Sequence, residues 1–382
     1  MILGDAPGRG MPRGLAKVAA LNWPLILVLC AVAGAGFLML FSVAGGALDP
    51  WARPQMMRFA LGLCVMFVIA MIDIRFWKAM SPLAYVVSFL LLLYVELAGH
   101  VGMGAQRWIN LGFMVLQPSE MMKIALVMLL AAYYSWLDPA KVSRPLWVVP
   151  PLVLILAPVA LVLTQPDLGT SIMLLAGGGA VMFLAGVSLW YFGAAIAAAV
   201  GLVTVVLESR GTDWQLLRDY QFNRIDTFLD PSKDPLGTGY HITQAQIALG
   251  SGGLAGRGYM QGTQSRLNFL PEKHTDFIFT TLAEEFGFMG SIALLILFTL
   301  VVVFCVSSAV SNRDRFGALL TGGVGATFFF FFAVNMGMVM GLMPVVGVPL
   351  PLVSYGGSAM LVLMAAFGLA QSAHVHRPRA RD

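Results

Sequence analysis

The sequence predicts an all-α integral membrane protein of about ten transmembrane helices, with one large extracytoplasmic loop between the seventh and eighth spans. Composition is the first reason. Of 382 residues, 59% are hydrophobic and 11% charged, whereas a soluble domain is about 45 to 50% apolar and about 25% charged. Too little polar surface remains for a water-soluble enzyme. The second reason is a recurrence of continuous apolar runs long enough to cross about 30 Å of hydrocarbon. The third is the alternation of basic residues between successive connecting segments. Disorder, collagen and disulfide scaffolds fail on the high apolar content, on 41 Gly and 20 Pro without a triplet period, and on only three Cys. Runs this continuous exclude a β-barrel as well.

Residues 1–22 form a polar, basic cytoplasmic segment with Arg9, Arg13 and Lys17. The run from Trp23 to Val43 is too long for a signal-peptide core and reads as a retained first span. One membrane domain then covers 23–372, with spans at roughly 23 to 44, 57 to 73, 81 to 98, 118 to 136, 145 to 163, 169 to 186, 188 to 207, 277 to 306, 316 to 340 and 353 to 372. The fifth to seventh are crowded, so one of them is expected to be broken or tilted. Cys30, Cys64 and Cys305 stand singly in apolar runs and read as small hydrophobes. The N-terminal segment, Arg75 and Lys78, Lys141 and Arg144, Arg313 and Arg315, and Arg377, Arg379 and Arg381 share one side, while the opposite short loops hold only Arg53, Arg58 and Arg107. Basic loops stay in the cytoplasm. Both termini, including the basic tail 373–382, are therefore expected there, and loop 208–275 is expected outside.

That loop balances seven basic against seven acidic residues, which argues against a polybasic lipid-binding tail. Trp214, Leu217, Ile225 and Phe228 recur at near-helical spacing, as in a helix lying in the interface. Asp230-Pro231 and Asp234-Pro235 read as turns, and about Tyr240 to Leu249 as a short helix. Gly250, Gly252 and Ala255 formally match a dinucleotide fingerprint, but no strand precedes them and the nucleotide reading is discarded. The run 250–258 is either a loop whose backbone approaches a substrate or a plain linker. Gly337 and Gly341 fit close helix packing.

Ionisable residues inside spans carry more weight, because burying a charge in hydrocarbon costs about 2.5 to 3.5 kcal/mol even on an insertion scale. Glu120 and Lys123, three residues apart in the fourth span, share a helix face. They make either a structural ion pair or a polar site reached from outside, and the second is preferred. Arg107 and Trp108 suit an interfacial anchor or a contact to an anionic lipid head group. Asp276 begins the eighth span, where it or Thr275 can cap the helix. With Lys273 and His274 it also makes a cluster able to meet a phosphate and take a proton. Glu284 and Glu285 lie about 12 to 14 Å deeper, and as neighbours they cannot both face one cavity. Asp167 either caps the sixth span or lines the same cavity, with capping the safer reading.

Asp230 to Ile242, Gly262-Thr-Gln-Ser, Leu270 to Phe279, Arg107 to Gly112, Gln117 to Lys123, Gln165 to Thr170, Asn335 to Pro344, Gly347 to Pro351 and Ser354 to Ser358 are distributed along nearly the whole chain. Together they resemble the SEDS family of bacterial shape, division and sporulation proteins. The Gly262-Thr-Gln-Ser and Leu270-to-Asp276 stretches are more similar to rod-shape members than to division members. The resemblance implies a peptidoglycan glycosyltransferase that polymerises lipid II into glycan strands during elongation. It implies a class B penicillin-binding protein (a PBP2-type transpeptidase) and other elongation-complex membrane proteins as partners, and the bacterial cytoplasmic (inner) membrane as location. It also carries a catalytic aspartate onto Asp276 and supporting roles onto Arg107, Trp108, Glu120, Lys123 and Asp167. No nucleic acid and no organic cofactor are expected. Charge developing on a diphosphate leaving group would be met by Arg107, Lys123 or Lys273, or by a divalent cation, magnesium or manganese, near Asp276. The rivals are a lipid II flippase, a scaffold without chemistry, and a division-type member of the same family.

Overall fold

The computed structural model describes residues 14–102, 105–110, 112, 115–165, 167–215, 222, 226–227, 229–230, 238–263 and 273–378. Outside them lie Leu217, Ile225 and Phe228 of the expected interfacial helix, the prolines of both Asp-Pro turns, Gln264 to Glu272, Arg9 and Arg13, and Arg379 and Arg381 of the tail.

A short helix α1 (Leu15–Ala19) precedes α2 (Trp23–Val43), α3 (Ala52–Met71), α4 (Ile74–Ala98), α5 (Pro118–Trp136), α6 (Pro145–Thr164), α7 (Leu168–Ala185) and α8 (Leu189–Glu208). After the described parts of the large loop, which include α9 (Thr238–Ser251), come α10 (Ile278–Val310), α11 (Arg315–Val339) and α12 (Ser358–Val375). Among the described residues nine helices are long and apolar enough to cross a membrane. The tenth long helix, α5, carries Glu120 and Lys123 and runs through the interior, with Leu126, Leu130, Ala131 and Tyr134 fully buried. Surrounded by other helices, it has little need of a lipid-facing surface. The all-α expectation holds, with ten long helices where ten spans were expected. Three boundaries move. α3 and α4 start at Ala52 and Ile74, several residues earlier than the apolar runs, because the helices continue through Arg53, Arg75 and Lys78. The last helix starts later, at Ser358, because 351–357 is turn and loop.

Local chemistry explains the helix starts. Asn22, Asp73, Asp167 and Asp314 each accept a backbone N–H of the first turn they precede, satisfying donors that a helix leaves orphaned. Packing then joins α12 to α3, α10 to α11 and α2, α4 to α5, and α7 to α11 and α6. Helix α8 stands at the periphery with no buried residue.

The fifth to seventh spans run as continuous helices, and the eighth is broken, at Gly287 of α10 (φ 64°, ψ −157°). Its cause is the glycine run. Phe288 and Met289 N–H donate to Gly253 and Leu254 O at 2.9 and 3.1 Å, and Arg257 and Gly258 N–H to Glu284 and Glu285 O at 3.0 Å each. The backbone groups freed by the break are thus taken up by the run, which packs against α10 at these positions and is not a plain linker. Contact is backbone to backbone. A Cβ on Gly256 (φ +82°) would lie 2.1 Å from Glu285 O, and one on Gly287 2.3 Å from Gly256 N, so glycine is required on both sides.

Between α4 and α5 the chain forms a small antiparallel sheet, β1 (His100–Gly102), β2 (Ala105–Asn110) and β3 (Val115–Leu116), in the order β1-β2-β3. No apolar run marks it, and it carries Arg107 and Trp108.

Candidate active site

The helices α5, α7, α10 and α12 all begin at one end of the bundle, where α4 and α11 finish. Their first turns surround a cavity of about 360 Å³ lined by Arg107, Trp108, Gln117, Glu120, Lys123, Asp167, Thr170, Thr275, Asp276 and, from the α11–α12 connection, Gly347 to Pro349 and Tyr355 to Gly357. Six of the eight residues singled out in the sequence share this wall: Arg107, Trp108, Glu120, Lys123, Asp167 and Asp276. Four helix N-termini aim the positive ends of their dipoles at the space, a field that favours an anionic group.

Glu120 and Lys123 form the expected pair, Nζ to Oε1 at 2.7 Å, with side chains only 10% and 4% exposed. Lys123 Nζ also lies 4.2 Å from the Phe331 ring centroid, so the ammonium is held between a carboxylate and an aromatic face. The pair lines the cavity too, so the structural and functional readings describe one arrangement. Asp167 likewise does both things proposed for it. It caps α7 by accepting Thr170 N–H at 3.0 Å, accepts Thr170 Oγ1–H at 3.0 Å and Gln117 Nε2–H at 3.3 Å, and lies 3.6 Å from Arg107 Nη1. Arg107 Nε donates to Gln165 O at 2.9 Å. This aims the guanidinium along the wall, 27% exposed.

Asp276 precedes the N-cap position of α10, which Phe277 occupies without a side-chain capping bond. The carboxylate faces the loop opposite: a Cβ built on Gly347 (φ +72°) would be 3.6 Å from Oδ2. Lys273 and His274 are absent from the wall. His274 stacks on Trp51 with centroids 4.7 Å apart and leans on Tyr355 at 6.1 Å, one layer behind the cavity. Lys273 is buried, which lowers its pKa from the ordinary lysine value. Both adjoin Asp276 in sequence, but neither side chain is among those that line the cavity.

Glu284 and Glu285 face neighbours rather than this cavity. Glu284 Oε1 accepts Thr263 N–H and Oγ1–H at 2.8 and 2.9 Å, and Glu285 Oε1 accepts the Ser42 hydroxyl. Gln117, Asn335, Ser354, Tyr355 and Gln55 had no role assigned from sequence. Gln55 grips the loop by donating to Ser354 O at 2.8 Å and accepting Gly356 N–H at 3.3 Å. The signal available for Asn335 was a polar amide within a largely apolar stretch of α11, whereas Gln55 lies between Arg53 and Arg58 and gave none.

A divalent cation finds no protein cage here. Among the described residues no three His, Cys, Asp or Glu side chains converge, and Asp167 and Glu120 are taken by Arg107, Gln117, Thr170 and Lys123. The described donors do not by themselves form a cage for an ion, and no step of the chemistry is routed through one.

Known proteins resemble the chain over nearly its whole length. The profile of the family FTSW_RODA_SPOVE, described as "Cell cycle protein", matches residues 22–379. Peptidoglycan glycosyltransferase MrdB of Escherichia coli (strain K12) is 42% identical over 361 residues, covering 92% of this chain and 93% of that protein. A chain from a solved structure described as "Structural coordination of polymerization and crosslinking by a peptidoglycan synthase complex" superposes with a TM-score of 0.78 at 31% identity, covering 93% and 98% of the two chains. The rod shape determining protein RodA of Thermus thermophilus superposes with a TM-score of 0.70 at 28% identity, covering 94% and 99%. Motifs, fold and whole-length matches agree, and the chain belongs to the FtsW/RodA/SpoVE family, the SEDS proteins its motifs resemble.

Proposed function

We propose that this protein is a peptidoglycan glycosyltransferase that polymerises lipid II during cell elongation. The observation that carries the reading is the gathering of Asp276, Arg107, Trp108, Glu120, Lys123 and Asp167 on one cavity, in a chain whose 42%-identical relative is named for that activity. The protein sits in the bacterial cytoplasmic membrane with both termini inside, and the cavity opens on the extracytoplasmic side, as the distribution of Lys and Arg supports.

Glycan polymerisation joins the 4-hydroxyl of an acceptor sugar to C1 of a donor whose leaving group is a lipid diphosphate. Diphosphate leaves without a general acid, so the paired carboxylates of a glycosidase are not needed. Asp276 takes the acceptor proton as the C1–O bond to diphosphate breaks on the opposite face, and an α-linked donor becomes a β-linked product. Arg107, Lys123 and the four helix N-termini offset the charge that develops on the leaving diphosphate. The polyprenyl chain stays in the bilayer between helices while its head group enters the cavity. A class B penicillin-binding protein crosslinks the strand, a pairing supported by the structural relative from a peptidoglycan synthase complex that coordinates polymerisation with crosslinking.

The test is lipid II polymerisation by the purified protein with its partner. Asp276→Asn is expected to abolish glycan output while the complex still assembles; undiminished output would remove Asp276 from its role. Activity lost on complete chelation would require a cation brought by the substrate. The flippase rival needs a polar path open in turn to both faces, whereas the charged side chains lining this cavity lie at one end of the bundle. Translocation of labelled lipid at full rate by Asp276→Asn would favour the transporter.

A further inference from the structure

Three successive peptide carbonyls end at Asp276, and each accepts a hydrogen bond from the end of α11 or from the connection to α12. Tyr355 N–H donates to His274 O at 2.8 Å, Ser354 Oγ–H to Thr275 O at 2.6 Å, and Asn335 Nδ2–H to Asp276 O at 2.9 Å. The same Asn335 amide donates to Val348 O at 2.7 Å. Ser354 Oγ accepts Leu350 N–H at 2.8 Å in turn. Every one of these donors comes from a stretch separated in sequence from Asp276 by all of α10.

Asn335 is fully buried in α11. Both of its partners are carbonyl oxygens, so its NH2 group must face them, and Oδ1 is left buried without a hydrogen-bond partner. Filling space does not call for such a residue. Leucine has a similar length and would remove the orphaned Oδ1, but it would leave both carbonyl oxygens without this donor. What an apolar residue lacks is the ability to hold two carbonyls on one nitrogen. Those carbonyls belong to Asp276 and to Val348, and both residues line the cavity, with Gly347 passing beside the Asp276 carboxylate between them.

We infer that Asn335 is a positioning residue for the transfer. By tying Asp276 O and Val348 O to one amide, it fixes the width of the cavity between the carboxylate and the facing loop, where the acceptor hydroxyl has to lie. The inference rests on the glycosyl-transfer reading of this cavity. A base works when the reacting atoms are held about 3 to 3.5 Å apart, and displacement by about 1 Å costs on the order of 100-fold in rate. Head-group binding at Arg107 and the helix N-termini does not depend on that width, so a rate loss without an affinity loss is the signature.

The experiment compares wild type and Asn335→Leu, each purified with its class B penicillin-binding protein, in lipid II polymerisation. Asn335→Leu is expected to lower kcat about 100-fold, with KM for lipid II within about two-fold and the complex still folded and assembled at the assay temperature, although its unfolding midpoint falls with the loss of two buried hydrogen bonds. An unchanged kcat, a loss carried by KM, or a loss fully accounted for by the fraction of unfolded complex in the assay would each overturn the inference. If the leucine variant does not accumulate, Asn335→Asp keeps the side-chain size, removes the paired donors and is judged by the same criteria. Wild-type protein inactive on lipid II would instead sink the glycosyltransferase reading, so the two failures are told apart.

Discussion

The Glu120–Lys123 pair allows a quantitative test of how dry the cavity wall is. Two unit charges at the observed 2.7 Å attract by about 6 kcal/mol at an effective dielectric of about 20. Most of this is offset by the cost of taking both groups out of water. Removing one partner is a different matter, because the other charge stays buried, at 4% or 10% side-chain exposure, with nothing to compensate it. Lys123→Met is therefore expected to destabilise the fold by about 3 to 5 kcal/mol, and Glu120→Gln by a similar amount. The double variant replaces both charges and should cost less than either single change. The coupling energy of the cycle, measured by equilibrium unfolding in mixed micelles, is expected to be at least about 2 kcal/mol. The contact between Lys123 and Phe331 is lost in both Lys123 variants, so it cancels. Coupling below about 0.5 kcal/mol, the worth of an exposed pair, would refute the reasoning and mean that cavity water screens the two charges.

The other predictions concern the break, the wall and the membrane edge. Gly287→Ala combines a left-handed backbone with a Cβ 2.3 Å from Gly256 N; a loss of at least about 3 kcal/mol is expected in the same unfolding assay, and a neutral result would mean that the glycine run does not fill the break. Arg107→Gln should raise KM for lipid II by roughly 10-fold or more and weaken its salt dependence, while the Thr170 bonds keep Asp167 in place; an unchanged KM would leave Arg107 a structural role only. His376, just beyond α12 and 3% exposed, has its pKa lowered from 6.5, chiefly by burial and also by Lys17, against the opposing pull of Ser372 O and Asp73. Below 6.5 the unfolded chain binds the proton more readily than the folded one, so stability should fall as pH drops from 6.5 through the folded-state value. His376→Gln should flatten that profile, and an equal slope in both proteins would exclude the histidine as its source.

How much could be read in advance depends on which force sets a feature. Spans announce themselves because hydrocarbon imposes length and apolarity on each helix separately. The starts of α3 and α4 were missed because a helix continues beyond its apolar stretch, through Arg53, Arg75 and Lys78, where hydropathy no longer reports it. The kink in the eighth span was not foreseen for a related reason. Crowding of spans five to seven is visible along the chain, whereas the break at Gly287 exists because a segment about thirty residues earlier supplies its hydrogen bonds.

The sequence by itself determined that the chain is a multi-helix membrane protein, that charge inside its spans is scarce, and that Asp276, Arg107, Trp108, Glu120, Lys123, Asp167, Lys273 and His274 are the residues to watch. These follow from composition, periodicity and motif, which are properties of short stretches. Only the tertiary structure decided that the first six share one cavity, that Lys273 and His274 do not, and that three carbonyls running to Asp276 are held by Asn335, Ser354 and Tyr355. The physical reason is that a hydrogen bond between residues 59 or 79 positions apart leaves no period or local pattern. It arises when helices chosen separately by the membrane are packed together, and their ends come to face the same space.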